Sequence, residues 1–292
     1  RDCGRLVVTR RSDAGDDRTP VSTHFEIALA MLQAGKHVLV EKPMADSPEQ
    51  AARLVEEAAR RSRLLMVDHT FLYTGAVQAI RGMIDEGSLG EIYYYDSTRV
   101  NLGLFQRDVN VVWDLAAHDF AIMDFLLAAR PVAISASAAG FLPGGPENMA
   151  HLSVYFEGGA MAHLNVNWFA PVKIRQTLIG GSRRMVIYDD MQTSEKVKVY
   201  DRGVSVGEAA DPQTAYQQMI SYRLGDMWAP ALSAREALLS EVEAFARCIA
   251  SGARPVNDGE SGLRVVEMLT AASASIRQRG QPVEFRALEK AS

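Results

Sequence analysis

The chain has 292 residues, long for one domain and comfortable for two. Apolar residues make up 48% and charged residues 23%, which supports sizeable cores and argues against disorder over most of the length. A net charge of −5 without a Lys/Arg run speaks against a nucleic-acid partner, and no apolar run reaches the ~18 residues of a membrane span.

The first residues, RDCGRLVVTRRSDAGDD, lack the apolar stretch of a secretory signal. RLVVT (Arg5–Thr9) can form one strand. Arg10, Arg11 and Ser12 after it are either polar loop or a site for a 2′-phosphate. In TPVSTHFEIALAMLQAGKHVLVEKP, Thr23 and Glu26 have capping-box spacing, so a helix is expected from about His24 to Gly35. Ile27, Met31 and Ala34 would form its inward face. A strand follows at His37–Val40. Ser47, Pro48 and Gln50 form a second box ahead of a helix over Pro48–Arg61, and a strand follows at Leu64–Asp68. Strand, helix and strand at this spacing make a βαβ unit with a parallel sheet, and ligands sit outside the carboxyl ends of such strands. Glu41 and Lys42 stand at that place, and Pro43 ends the ladder and can fix the turn through a cis bond. Spacing alone leaves Lys42 equally a solvated loop lysine.

A helix is expected at Tyr73–Glu86, closed by Gly87. From Glu91 the pattern changes to period two. EIYYYDSTRV and PVAISASAAG read as strands. HLSVYFEGGAMAHLNVNWF reads as a hairpin about Gly158–Gly159, with Leu152, Val154 and Phe156 on one face of the first arm and Leu164, Val166 and Trp168 on one face of the second. RQTLIGGSRRMVIYDD repeats the design around Gly180–Gly181, and KVKVYD adds a strand. Consecutive hairpins imply an antiparallel sheet with one open face, suited to a homodimer or homotetramer. Residues 202–230 show little periodicity and read as a long loop. Two closing helices follow, one lined by Leu238, Val242, Phe245 and Ile249 and ended by Gly252, the other by Val265, Leu269, Ala272 and Ile276 and ended by Gly280. The domain boundary falls near Phe71–Gly75, giving domains 1–72 and 73–292.

VVWDLAAHDFAIMDFLL, residues 111 to 127, has helical apolar spacing. Asp114 and His118 are four apart, on the face that continues through Ile122 and Phe125. A carboxylate beside an imidazole holds its tautomer and raises its basicity, which suits proton transfer. Two other readings fit the spacing. One is a structural contact. The other is a metal pair with His69 as a third ligand, serving a metal-dependent hydrolase or lyase. Cys3 and Cys248 give neither a disulfide framework nor a zinc cluster, so a reducing, cytoplasmic setting is expected.

TPVSTH, then AGKHVLVEKP, then a D-x-x-x-H helix after the first strand of an antiparallel sheet, and the tail SGARPVNDGESGLRVVEMLTAASAS together resemble the glucose-fructose oxidoreductase, inositol dehydrogenase and MocA family. The resemblance covers residues 19–285. It implies an α/β plus α+β protein: an incomplete Rossmann-type parallel domain, then a larger open antiparallel-sheet domain with helices on one face. It also implies an NAD- or NADP-dependent dehydrogenase moving a hydride between nicotinamide and a sugar, cyclitol or related alcohol. On that resemblance Thr19, Pro20, His24, Glu41, Lys42, Pro43 and His69 border the dinucleotide, with Thr70 where the family more often has asparagine. Lys42, Asp114 and His118 border the reacting carbon, and Arg99, Asn165 and Trp168 are candidate substrate contacts from the sheet. No metal is implied. No G-x-G-x-x-G occurs, and only 18 residues precede TPVSTH, so the chain is expected to be N-terminally truncated, with cofactor binding weakened. A non-catalytic, dimerising remnant of the family is the corresponding rival.

Overall fold

The computed structural model describes residues 7–8, 21–103, 109–206 and 220–285. Its first layer is a three-stranded parallel sheet, β1 (Val7–Val8), β2 (Val38–Val40) and β3 (Leu65–Val67), in that order. Each residue of β2 and β3 is buried, as expected of a parallel sheet covered on both faces. Two helices complete the βαβ unit, α1 (Val21–Gln33) and α2 (Pro48–Arg61). α2 begins as its sequence requires. Ser47 accepts a hydrogen bond from the Gln50 amide at 3.3 Å, and Pro48 takes the first helical position, where a missing N–H costs nothing.

α1 departs from expectation in two ways. It is already helical at Val21, so Thr23 lies inside the helix and does not cap it. Its buried face is Phe25, Ala28, Leu29 and Leu32, while Ile27 and Met31 are only half-buried and Ala34 is exposed. Apolar residues occupy more than one side of this helix, so spacing alone does not choose among the stripes.

A short 3₁₀ turn (Thr70–Tyr73) and α3 (Gly75–Asp85) lead to the second sheet. Its strands are β4 (Ile92–Leu102), β5 (Pro131–Ala139), β6 (Met149–Phe156), β7 (Met161–Asn167), β8 (Phe169–Gly181), β9 (Met185–Asp189), β10 (Val197–Val206), β11 (Ile220–Trp228) and β12 (Val283–Glu284). The order is β11-β10-β9-β8-β4-β7-β6-β5-β12. Every pairing is antiparallel except β4 with β7, so the sheet is mixed. Residues 202–206 and 220–228 form strands, not the expected loop. Residues 222 and 224–229 are all exposed, which leaves no apolar-polar alternation to read.

The inner face of this sheet carries Tyr95, Ser97, Arg99, Leu152, Leu164 and Trp168, all buried. Against it lies the helical segment 112–127, a π turn (Val112–Ala116) continued by α4 (Ala117–Leu127). The two closing helices are α5 (Ala237–Ser251) and α6 (Gly259–Arg277). α6 contributes Val265 and Leu269 to the large core and Val266 to the core of the parallel sheet. At Gly262 a Cβ would stand 2.5 Å from Val67 Cγ2 and 2.7 Å from Met44 Sδ, so only glycine permits this approach. Phe245 of α5 packs on Leu39 and Met66. The closing helices therefore complete the first sheet, and a cut at residues 72–73 does not separate the two cores. Among the described residues no helix is long and apolar enough to cross a membrane.

Phe245 is fully buried, so Phe245→Ala should cost about 3–5 kcal/mol, measured by urea unfolding. A loss below about 1 kcal/mol contradicts the packing of α5 on the parallel sheet.

Candidate active site

Lys42 leaves the carboxyl end of β2 and crosses to the second domain. The Lys42–Pro43 peptide is cis, and His24 Nδ1 lies 2.8 Å from the Pro43 carbonyl oxygen. Met44 and Ala45 are wholly buried behind the turn, while Glu41 is half-buried just after the strand. The Lys42 ammonium donates to the Asp114 carbonyl at 3.0 Å and stands 3.6 Å from Asp114 Oδ1. The two side chains are 18% and 15% exposed, too sheltered for the solvated lysine that spacing alone allowed. Thr19, Pro20, Arg10, Arg11 and Ser12 lie outside the described residues.

Asp114 sits in the π turn, started by Asn110, whose Oδ1 accepts from the Val112 and Trp113 amides at 3.1 Å each. The wider π turn offsets residues that an α-helix would stack four apart. The Asp114 carboxylate also accepts from Trp168 Nε1 at 3.2 Å. His118 meets the Phe71 ring edge-on, centroids 5.0 Å apart, and its Nδ1 is buried without a hydrogen-bond partner. The imidazole is shifted in the direction opposite to the one expected from a neighbouring carboxylate. Burial first, then the positive charges of Lys42, Arg99 and Arg175, push the imidazole well below its usual range. His118 is neutral at pH 7.

His69 follows β3 and is 2% exposed, with both ring nitrogens lacking hydrogen-bond partners. Burial lowers its pKa to about 4; Asp68 opposes the shift and Lys42 adds to it. Phe71, on the adjoining turn, is the hub of the site. Its ring faces His118, the Arg99 guanidinium at 4.8 Å and that of Arg175 at 5.6 Å. Neither Phe71 nor Arg175 was marked in the sequence, because single residues on a turn and a strand carry no spacing signal.

The three substrate candidates separate. Arg99 faces the site, but Asp119 takes its guanidinium at 2.7 Å, with Ser97 donating to the same carboxylate. Trp168 is buried and supports Asp114. Asn165 lies on the opposite face of the sheet, paired with Thr98 and His151, because it alternates with the buried Leu164 and Val166. Among the described residues no three His, Cys, Asp or Glu side chains stand together as a metal ligand set, so His69, Asp114 and His118 do not form one. Three cations around the imidazoles would also repel a metal ion.

A family model described as an oxidoreductase family with an NAD-binding Rossmann fold matches residues 7–69, and the C-terminal domain model of the same family matches residues 77–187. The chain belongs to the GFO/IDH/MocA oxidoreductase family. It is 27% identical over 268 residues to a UDP-N-acetylglucosamine 3-dehydrogenase of Acidithiobacillus ferrooxidans, covering 91% of this chain and 78% of that one. It is 24% identical over 279 residues to an inositol 2-dehydrogenase of Rhizobium meliloti, covering 90% and 78%. A solved structure of the Acidithiobacillus enzyme matches with a TM-score of 0.72 at 25% identity, over 90% of this chain and 78% of that one. The chain is thus an oxidoreductase of the nicotinamide-dependent class, taking NAD or NADP, on a Rossmann-type domain joined to a larger sheet domain.

The described residues fit the nicotinamide end of such a dinucleotide. Lys42 and His69 stand at the carboxyl ends of adjacent parallel strands, where such sheets collect ligands, and both His69 ring nitrogens are buried without a hydrogen-bond partner. A cleft of about 360 Å³ opens between the domains, lined by Ser22 and Asp46 on one side and Asn110, Trp113 and Glu147 on the other; Lys42, His69 and His118 are not among its lining residues.

His69 gives the site a pH signature. Its folded pKa of about 4 lies below its unfolded value near 6.5, so the unfolded chain binds a proton that the native state refuses. Its contribution is present above pH 6.5 and lost as pH falls toward 4. Over that window the loss is on the order of 3 kcal/mol. His69→Gln should flatten the acid slope of stability, followed by urea unfolding from pH 7 to pH 4.5; an unchanged slope contradicts the burial of a neutral imidazole.

Proposed function

We propose that the chain is a dehydrogenase for a sugar, cyclitol or related polyol, with His118 and Lys42 acting on one alcohol oxygen. The observation that carries this reading is the reach of Lys42 from the parallel sheet to Asp114, beside a neutral, half-buried His118. The dinucleotide, when bound, supplies the hydride acceptor or donor. Oxidation breaks the substrate O–H and C–H bonds and leaves a carbonyl, so a base must take the hydroxyl proton as the hydride departs. His118 is held in the form that can accept it. Nδ1 is sealed, so Nε2 is the atom for the proton. The Lys42 ammonium polarises the same oxygen and steadies the alkoxide character that develops on it. Asp114 is the positioning group. Its carbonyl and carboxylate hold the ammonium, and the Trp168 indole holds the carboxylate. The names of the relatives, a nucleotide-sugar dehydrogenase and an inositol dehydrogenase, support the substrate class.

The reading places the protein in the cytoplasm, in keeping with the free thiol of Cys248. It also makes the protein a homodimer or homotetramer through the open sheet face, where Tyr222, Leu224 and Met227 of β11 are exposed.

With NAD+ or NADP+ and a panel of cyclitols and sugars, His118→Asn should lower kcat/KM by roughly 10²–10⁴-fold, read from NAD(P)H absorbance. A variant that turns over like the wild type removes His118 from the proton step. Tyr222→Glu with Leu224→Glu should convert an oligomer to monomer in sedimentation velocity; an oligomer that survives both changes moves the interface elsewhere.

A further inference from the structure

Behind the site lies a polar cluster that the reaction does not use. Glu241 of α5 is fully buried, 171 positions from Thr70 in sequence yet 3.1 Å from its hydroxyl oxygen. The same hydroxyl contacts Asp68 Oδ1 at the end of β3. A hydroxyl carries one proton and cannot donate to two carboxylate oxygens. If it donates to Asp68, the Glu241 oxygen facing it must carry a proton of its own. The rest of the cluster says which oxygen that is. Asn257 Nδ2 donates to Glu241 Oε1 at 2.9 Å and to the Val67 carbonyl at 2.6 Å, while Asn257 Oδ1 accepts from the Tyr73 hydroxyl at 2.7 Å. Oε1 is therefore an acceptor; Glu241 is also hydrogen-bonded directly to the Asp68 carboxylate, so the two acids share one proton, and Oε2 is the oxygen on which Glu241 carries it.

We infer that Glu241 is a positioning residue: as a neutral carboxylic acid it clamps the Thr70–Tyr73 turn to α5 and so holds the Phe71 ring against His118, Arg99 and Arg175. Asp68 then carries the negative charge of the pair. Burial, with Asp68 second, raises the Glu241 pKa to about 9. Ionisation above that pH sets two carboxylates against one hydroxyl, and the turn loses its anchor. The titratable groups around the clamp are Asp68 on β3, His69 and Tyr73 on the turn, and Arg247 and Cys248 on α5, with Lys42 acting on His69 from across the site. Burial keeps Tyr73 protonated through this range, and His69 stays neutral. Burial also raises the Cys248 thiol, and Cys248→Ser controls for it.

The test uses the whole chain and two substitutions. Glu241→Gln keeps a donor at one position and an acceptor at the other; Glu241→Ala keeps neither. With a folded pKa of about 9 against an unfolded value near 4.5, the native state holds a proton that the unfolded chain has released. Wild-type stability is then full below pH 4.5 and lost as pH rises through 9. Relative to Glu241→Gln, the wild-type folding constant should fall by up to about tenfold per pH unit in that window. Infrared spectra should show a protonated-carboxyl carbonyl band in the wild type at pH 7, absent in Glu241→Gln and lost on raising the pH past Glu241's own value. The His118 ring resonances, which sense the Phe71 ring, should stay in place in Glu241→Gln and shift in Glu241→Ala. Parallel pH–stability curves, or a band that Glu241→Gln leaves untouched, overturn the neutral acid. Unmoved His118 resonances in a folded Glu241→Ala overturn the positioning role; if that variant does not fold, the same resonances in wild type carried past pH 9 decide it, an unmoved set overturning the role. Only the kinetic arm rests on the proposed dehydrogenase. The wild type should show an alkaline fall in kcat/KM that Glu241→Gln lacks. An inactive wild type with the expected spectra and stability would remove the reaction and leave the acid standing.

Discussion

The molecule depends on one contact between its two domains. The Lys42 ammonium, sent from the end of a buried parallel strand, is held by the carbonyl and carboxylate of Asp114 on the helical segment of the other domain. Neither partner can withdraw cheaply. A largely buried charge that loses its counter-charge is far more costly than the pair is stabilising. The contact fixes the position of a cation at the place where open α/β sheets collect their ligands, and the neighbouring parts are arranged about it. His24 secures the turn that carries Lys42, and Trp168 secures the carboxylate that receives it.

Charge divides the site into two regions. In front, burial keeps two imidazoles neutral, aided by Lys42 at both and by Arg99 and Arg175 at His118. Behind, Asp68 and Glu241 share a pocket with Thr70, Asn257 and Tyr73. Phe71 lies between the regions, its ring under two guanidinium groups and its turn tied to the acids. An aromatic face is well suited to such a place, since it attracts cations without carrying charge that would need solvation.

Local chemistry was legible in the sequence wherever one residue type has one physical use. Ser47 and Pro48 start α2, and Val154 and Val166 alternate with polar neighbours on a half-buried sheet. The E-K-P turn stood out because opposite charges ended a buried strand. What stayed hidden depended on distant partners. Asp114 and His118 have helical spacing, but the π turn and the reach of Lys42 gave the carboxylate to another group. Glu241 was visible in principle, since it lies on the inward line of α5 with Leu238 and Phe245, and an acid among apolar residues is a signal. β11 was not, because a strand exposed on both faces has no pattern to show.

The return of α5 and α6 to the first sheet joins two stretches far apart in the sequence. Val266 and Phe245 fill space beside Val38, Leu39 and Val67, which lie far earlier in the chain. During synthesis part of the apolar surface of the nucleotide-binding sheet stays uncovered until these two helices have been made. Anyone transplanting the sheet domain onto another nucleotide-binding module would have to make two junctions, one before α3 and one before α5, and carry the closing helices with the module they roof.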